Sequence, residues 1–510
     1  MKSSRLSKMR GPVFRAAPYA AAVVLGVAVY LRSVAGPFIW DDSILIEQLK
    51  QHASRGLWGI FTSGFLFRTI GPGVDFYRPL ITISFLVDNA LWRDNTIGFH
   101  LVNLLFHAIS ILGVALLTWL TLGNRVAAVG AAFLFAVHPA HTESVAWVSG
   151  RTDVMCAAFL VFGACAYLAY RKRRHRGFLV LSLALVLMAL LCKELALLAP
   201  ILFGLLAWVA GERNYRRLII DALPFAILAG VFFAIRSVVL PASPASGSAW
   251  PLATRAGIVA YSLYKHFQML LLPHTAQIAY SETMDKAVAP GNFIALLCIL
   301  LLAASLWSNR HWSRVPFFGI AWFLLAIVPV SGVAGCYTGG MVAQRFLYIP
   351  SVGLAVVFGW LMAGALQRRR RSVRLLGTAA GVFVIIALSL LSVRQSVLYT
   401  DEVLFWQRFT ADAPLADFAY FNLGIAYHKQ GEYPRAISAF QGAVELNPDE
   451  GLAYCGIGRS YAALDDYDSA IENVSKALEL QPGDPVAEGA MELLLRQKRA
   501  QSAPGTSSLD

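Results

Sequence analysis

Charge is scarce in this chain of 510 residues: 14% are Asp, Glu, Lys or Arg, against 57% hydrophobic. A soluble domain of that size would lack the polar surface to cover itself, so the composition excludes one. Cysteine is scarce too, with six in all. Cys156, Cys165, Cys192 and Cys298 lie in or beside apolar runs, where a free thiol behaves as a small hydrophobe. That excludes a disulfide framework and leaves the redox compartment open. Acidic residues are outnumbered, 30 against 43 Lys and Arg, for a net charge of +13. In a soluble protein the excess would point to nucleic acid. Here the basic residues sit in short loops between apolar runs, so no nucleic-acid partner is expected.

Apolar runs of roughly 18 residues or more recur along the chain, the mark of membrane-spanning helices. A basic stretch, Met1 to Arg15, precedes an apolar stretch from Ala16 to Ile39. That run is too long for the h-region of a secretory signal and reads as an uncleaved first span. Further spans fall near 99–120, 124–138, 152–170, 177–191, 195–210, 218–239, 292–307, 315–331, 346–366 and 375–394. With the first, near 16–37, these make about eleven. The basic clusters Lys2–Arg15, Arg171–Arg176, Arg213–Arg217, Arg310–Arg314 and Arg368–Arg374 then share one side, the cytoplasm by the positive-inside pattern. Segment 256–273 would break that parity if it crossed. It reads instead as an amphipathic helix on the outer surface, through Tyr261, Tyr264, Lys265 and Gln268.

After Val393 the composition changes. Residues 417–450 and 451–484 repeat at a period of 34, with Gly424/Gly458, Tyr427/Tyr461, Ala436/Ala470, Ala443/Ala477 and Pro448/Pro482 in register. This is the tetratricopeptide pattern of helix–turn–helix units, with small residues where helices press together. Two repeats bury little, so 400–409 should pack before them and a capping helix over 485–499 after them. A Ser/Gly/Pro-rich tail, 500–510, is expected to be disordered. The fold class is all-α: a polytopic membrane domain over 1–397, then a small α-solenoid over 398–499.

Ionisable groups at membrane depth are costly, so each needs a reason. The topology gathers them on the outer side. Asp41 and Asp42 open the outer segment 38–98, which also holds Asp75, Tyr77 and Arg78. The next outer loop carries His138, His141, Glu143, Arg151 and Asp153. Lys193 and Glu194 form a hairpin, Arg236 ends the seventh span, and Arg345 and Tyr348 begin the tenth. That boundary is where the headgroup of a lipid phosphate would lie. Transfer of a sugar from such a lipid needs a carboxylate to take the acceptor's proton and fixed cations to hold the departing phosphate. Asp41 or Asp42 suits the first need. Arg78, Arg151, Lys193, Arg236 and Arg345 suit the second, arginine through its forked donors.

Each feature also has a plainer reading. An Asp pair beside a span end is by itself a solvated boundary. Arg151 with Asp153, or Lys193 with Glu194, would serve as structural ion pairs at helix ends. Two histidines three apart with Glu143 and no third His or Cys are a weak metal signal. The functional case rests on convergence.

The set Trp40-Asp41-Asp42, Tyr77-Arg78-Pro79-Leu80, Phe99-His100-Leu101-Val102-Asn103, His138-Pro139-Ala140-His141-Thr142-Glu143, Gly150-Arg151-Thr152-Asp153, Lys193-Glu194 and Gln344 to Ser351 resembles the transmembrane and tetratricopeptide-repeat-containing O-mannosyltransferases of the GT-C glycosyltransferase superfamily. The resemblance covers nearly the whole chain. It implies a GT-C membrane bundle and an inverting hexosyltransferase that moves a mannose-like sugar from a polyprenyl-phosphate donor. It also implies an acidic first-loop motif in catalysis, which falls on Asp41 and Asp42. The acceptor would be hydroxyls of an exported protein, recruited by the repeats, or an envelope glycan. Neither a cofactor nor a divalent metal is expected. Gln344 departs from the Ala-Glu-Arg usual in the family, and two repeats are few for it. Short loops suggest a bacterial member, placed in the inner membrane with its N-terminus in the cytoplasm and its site and repeats on the periplasmic side. Two other classes compete. A non-catalytic membrane-anchored scaffold explains the repeats but not the ionisable cluster, and a secondary transporter needs polar groups near the midplane and access from both sides, whereas the inner halves of these spans are almost purely apolar.

Overall fold

The computed structural model describes residues 16–65, 76–93, 95–240, 251–275, 277–280, 286, 288–331 and 342–502. The described residues are helical, with no strand among them. Each predicted span coincides with a helix. Among the described residues, six helices are long and apolar enough to cross a membrane, including Thr96–Leu122, Tyr215–Val239 and Pro290–Ser308. The remaining predicted spans fall on shorter apolar helices such as Arg125–Val137 and Ser351–Leu366. The chain is a multi-pass membrane protein.

The termini of these helices follow local chemistry. Asn95, Asn124 and Asn214 each accept a hydrogen bond from a first-turn backbone N–H, so three loop asparagines start three apolar helices. The helices differ in what surrounds them. Most of Val148–Arg173 is buried and little of Pro290–Ser308 is, although both are apolar. The first is therefore the centre of the bundle. The second turns Ile294, Leu297 and Leu301 outward, towards lipid. Helices Arg125–Val137 and Ser351–Leu366 touch through small residues: a Cβ on Gly359 would lie 2.1 Å from the Ala127 carbonyl oxygen. In lipid, where apolar burial gives helices no reason to associate, such close backbone approach supplies the packing.

The chain divides into two compact units, Met1–Ala276 with Glu282–Val397, and Leu398–Asp510 with Gln277–Ser281. In the second, Asp417–Lys429 and Tyr433–Leu446 form one helical hairpin, and Gly451–Ala462 and Tyr467–Leu480 form the next. Helix Glu402–Asp412 precedes them and Pro485–Ser502 follows. Ala436, Ala443, Ala470 and Ala477 are buried, where the small positions of the repeat predict contact between helices. The segment 252–271 is a helix that buries Tyr261 and His266 and leaves Leu252 exposed.

Candidate active site

The site starts from a strained turn. Trp40 has φ 59° and ψ −120°, a region that suits glycine and costs another residue about 1–3 kcal/mol. Two contacts hold it there. Its ring stacks on Trp147 with centroids 5.5 Å apart, and Trp147 Nε1 donates to the Ile39 carbonyl at 3.1 Å. The turn delivers Asp41 and Asp42 to the start of helix Asp41–Ser54, where the exposed N–H groups favour carboxylates.

The two aspartates then differ. Asp42 is 1% exposed and fully engaged. Its Oδ2 accepts from Ile39 N at 3.1 Å, and its Oδ1 accepts from Ser149 N at 2.9 Å and Ser149 Oγ at 2.5 Å. Asp42 therefore ties the outer segment to the loop 147–150. That loop is itself fixed: Asn103 Nδ2 donates to the carbonyls of Trp147 at 2.8 Å and Val148 at 3.2 Å. Gly150 fits only because it has no Cβ, which would lie 2.6 Å from the Ser144 carbonyl oxygen. Asp41 is half-buried, and among the described residues its carboxylate accepts no hydrogen bond. Burial pushes it up to about 6, against the pull of the Arg345 guanidinium nearby. Burial pushes Asp42 to about 7, against its hydrogen bonds.

Four cations of the predicted set are paired with carboxylates far away in sequence. Arg78 meets Glu194 at 3.1 Å and Lys193 meets Asp153 at 2.6 Å. Arg151 meets Asp88. Arg345 meets Glu143 through its guanidinium and through its backbone N–H at 2.8 Å. The expected local pairs, Arg151 with Asp153 and Lys193 with Glu194, are corrected by this arrangement. Residues two apart on helix Arg151–Arg173 project in different directions. Lys193 is extended, at φ −159° and ψ 140°, which sends adjacent side chains to opposite sides.

Arg151 is wholly enclosed. Besides Asp88 it donates from Nε to Asn103 Oδ1 at 3.0 Å and from Nη2 to the Phe99 carbonyl at 2.7 Å. It braces the loop and has no face open to a ligand. Arg345 and Lys193, by contrast, flank one ring, lying 5.0 and 5.5 Å from the centroid of Phe346. Arg236 is half-buried, has no ion pair among the described residues, and acts with Arg78 on Glu194. Arg78 alone bonds Glu194, and Arg236 adds positive charge from farther off.

The histidines serve a different part of the domain. His138 Nδ1 accepts from Ala140 N at 3.2 Å and its Nε2 donates to the Leu270 carbonyl at 3.0 Å, so both nitrogens are engaged. His141 Nε2 lies 2.7 Å from Ser351 Oγ, and His107 Nδ1 lies 2.7 Å from Tyr348 Oη. His138, His141 and Tyr348 therefore belong to a buried network behind the Arg345 segment. Tyr77 donates to the Phe61 carbonyl at 3.1 Å and pins the outer segment to itself. Asp75 lies outside the described residues. Sequence reasoning missed Asp88, Ser149, Trp147 and His107 as parts of this framework. Asp88, a carboxylate within the apolar helix Pro79–Trp92, carried a signal of its own. Nothing local marked Ser149.

A tetratricopeptide-repeat family profile matches residues 406–451 and 421–485. The chain is 26% identical to the protein O-mannosyl-transferase Tmtc1 of Drosophila melanogaster over 81% of its own length and 59% of that protein's. It is 27% identical to the human protein O-mannosyl-transferase TMTC4, covering 82% of this chain and 65% of the relative. Against the protein O-mannosyl-transferase F38B6.6 of Caenorhabditis elegans it is 24% identical, over 84% and 62% respectively. The chain spans less than two thirds of the length of each of these relatives. It is a homologue of the TMTC protein O-mannosyl-transferases over some four fifths of its length, with a tetratricopeptide-repeat domain at its C-terminal end.

Proposed function

We propose that this chain is a membrane glycosyltransferase that moves a mannose-like sugar from a polyprenyl-phosphate donor to hydroxyl groups of an exported protein. The observation that carries the reading is the contrast at the first outer turn. Asp42 is engaged on both oxygens, while Asp41 beside it is free to accept a proton and faces the charge of Arg345. A carboxylate pushed up to about 6 is a competent base near neutral pH and still mostly ionised there.

In this reading Asp41 takes the proton of the acceptor hydroxyl as its oxygen attacks the anomeric carbon from the face opposite the phosphate. The carbon–oxygen bond to phosphate breaks, its electron pair leaves on the phosphate, and the configuration inverts. Cations that already hold the phosphate stabilise that charge as it grows. Arg345 and Lys193 beside Phe346 and Arg236 with Arg78 are the groups in place to do so. Arg151 is set aside because it is enclosed. Asp42 is a positioning residue that fixes the turn. The charge pattern of the loops supports an orientation with this site and the repeats on the outer side, and the short loops suit a bacterial member, in whose inner membrane that side is periplasmic. The repeats, whose stacked helices offer a groove suited to extended peptide, recruit the acceptor. No metal or cofactor enters this scheme.

Intact-mass comparison of exported proteins from cells with and without the chain tests the reading. Hexose-sized increments that vanish with the chain and with Asp41→Asn are expected. Identical masses in all three samples would overturn it.

A further inference from the structure

On the side opposite the candidate site, the largely enclosed Arg171 has acidic partners, 2.5 Å from Glu212 and 3.4 Å from Asp221. Arg314 differs. It is 8% exposed and stands at the N-terminal end of helix Val315–Ile327. Among the described residues it has no carboxylate within ion-pair distance. Its Nη1 donates to the Trp208 carbonyl, its guanidinium lies 4.6 Å from the centre of the Trp208 ring, and its Nη2 is closed off from solvent without a hydrogen-bond partner. The one undescribed stretch that the predicted topology puts on this side, residues 1–15, contains no Asp or Glu.

An enclosed cation without a counter-charge is costly, and the cost falls if an anion settles at the rim above it. The surroundings suit one kind of anion. Trp208 stacks on Trp307 with centroids 5.6 Å apart. Arg310 lies 3.9 Å from the centre of the Trp307 ring and donates to the Trp307 carbonyl at 2.7 Å, and its side chain is accessible at the rim. Trp312 is 84% exposed. Exposed indole beside arginine at the end of apolar helices fits the headgroup layer of a bilayer. Water alone gives an indole no such reason for exposure.

We propose that the loop 307–314, with Trp208 behind it, is a binding site for an anionic phospholipid of the cytoplasmic leaflet. The headgroup phosphate contacts Arg310 at the rim, Arg314 supplies a fixed positive field from beneath, and Trp312 sits among the neighbouring headgroups. The leaflet rests on the orientation given under the proposed function, whereas the site itself does not.

The test is native mass spectrometry of the full chain released from nanodiscs of phosphatidylcholine with or without phosphatidylglycerol. Retention of phosphatidylglycerol over phosphatidylcholine is expected, with about a fivefold loss for each of Arg310→Gln and Arg314→Gln. Arg216→Gln, an exposed basic residue of the same side, should change retention little. Should Arg314→Gln fail to fold, Arg310→Gln still decides. Equal retention of the two lipids, or equal losses for Arg310→Gln and Arg216→Gln, overturns the site. Displacement of the bound lipid by millimolar inorganic phosphate would show that the loop takes any phosphate, and overturns lipid recognition. Impermeant labelling of Ser313→Cys from outside intact cells, with lipid retention unchanged, overturns the leaflet and the orientation but not the site.

Discussion

Asp41→Asn and Asp42→Asn are nearly the same change one residue apart, and the structure expects opposite results. Asp41 accepts no hydrogen bond among the described residues, so an amide there loses no partner. Stability should shift by less than about 0.5 kcal/mol. The proton acceptor is gone, however, and removing a general base lowers the rate by about 10²–10⁴-fold, or roughly 3–5 kcal/mol of barrier. Asp42 holds Ile39 N through one oxygen and Ser149 N and Oγ through the other. An asparagine keeps one acceptor oxygen, and that oxygen can serve Ser149. Its amide nitrogen then faces the Ile39 N–H, leaving a buried donor unsatisfied at about 1–3 kcal/mol. Relief from burying a charge offsets part of this, so a net loss of about 1–2 kcal/mol is expected. Turnover should fall only as far as the loosened turn displaces Asp41. The assay is single-turnover transfer in nanodiscs with saturating donor, beside unfolding of the same preparations. If Asp41→Asn keeps a tenth or more of the parent rate while Asp42→Asn abolishes transfer without loss of stability, the roles given to the two aspartates are wrong.

The structure also fixes what acid, three substitutions and one truncation should do. Transfer should fall on the acid side with a midpoint near 6, because the base must be ionised and burial holds Asp41 at about 6. Arg345→Gln removes the charge that pulls Asp41 down, so its pH–rate profile should move to higher pH; an unmoved midpoint counts against Asp41 as the titrating group. Arg151→Met strands Asp88 as a buried charge and should cost about 3–5 kcal/mol. Arg236→Gln should leave unfolding within about 0.5 kcal/mol and raise KM for the donor, and reversed effects in this pair would exchange the structural and ligand roles. Truncation after Val397, the boundary between the compact units, should raise KM for a protein acceptor and spare donor hydrolysis. Turnover that drops equally with a small soluble acceptor would show that the repeats brace the membrane site.

What the sequence determined by itself was everything set by short-range patterning. Apolar runs fix helices because the bilayer leaves the backbone no other way to satisfy its hydrogen bonds. Small residues recurring 34 positions apart, such as Gly424 and Gly458, mark helix hairpins because only they allow that approach. The carboxylates and cations of the site were visible as costly groups near apolar runs. Their partners were not. Arg345 with Glu143 and Arg78 with Glu194 are joined across 202 and 116 residues, while the adjacent Lys193 and Glu194 turn away from each other. Which charge meets which depends on how the helices cross, and no local pattern encodes that. The division between Asp41 and Asp42 has the same origin. The two are identical in type and neighbours in sequence, and they differ because the Ile39 N–H and the loop around Ser149 close on one of them alone.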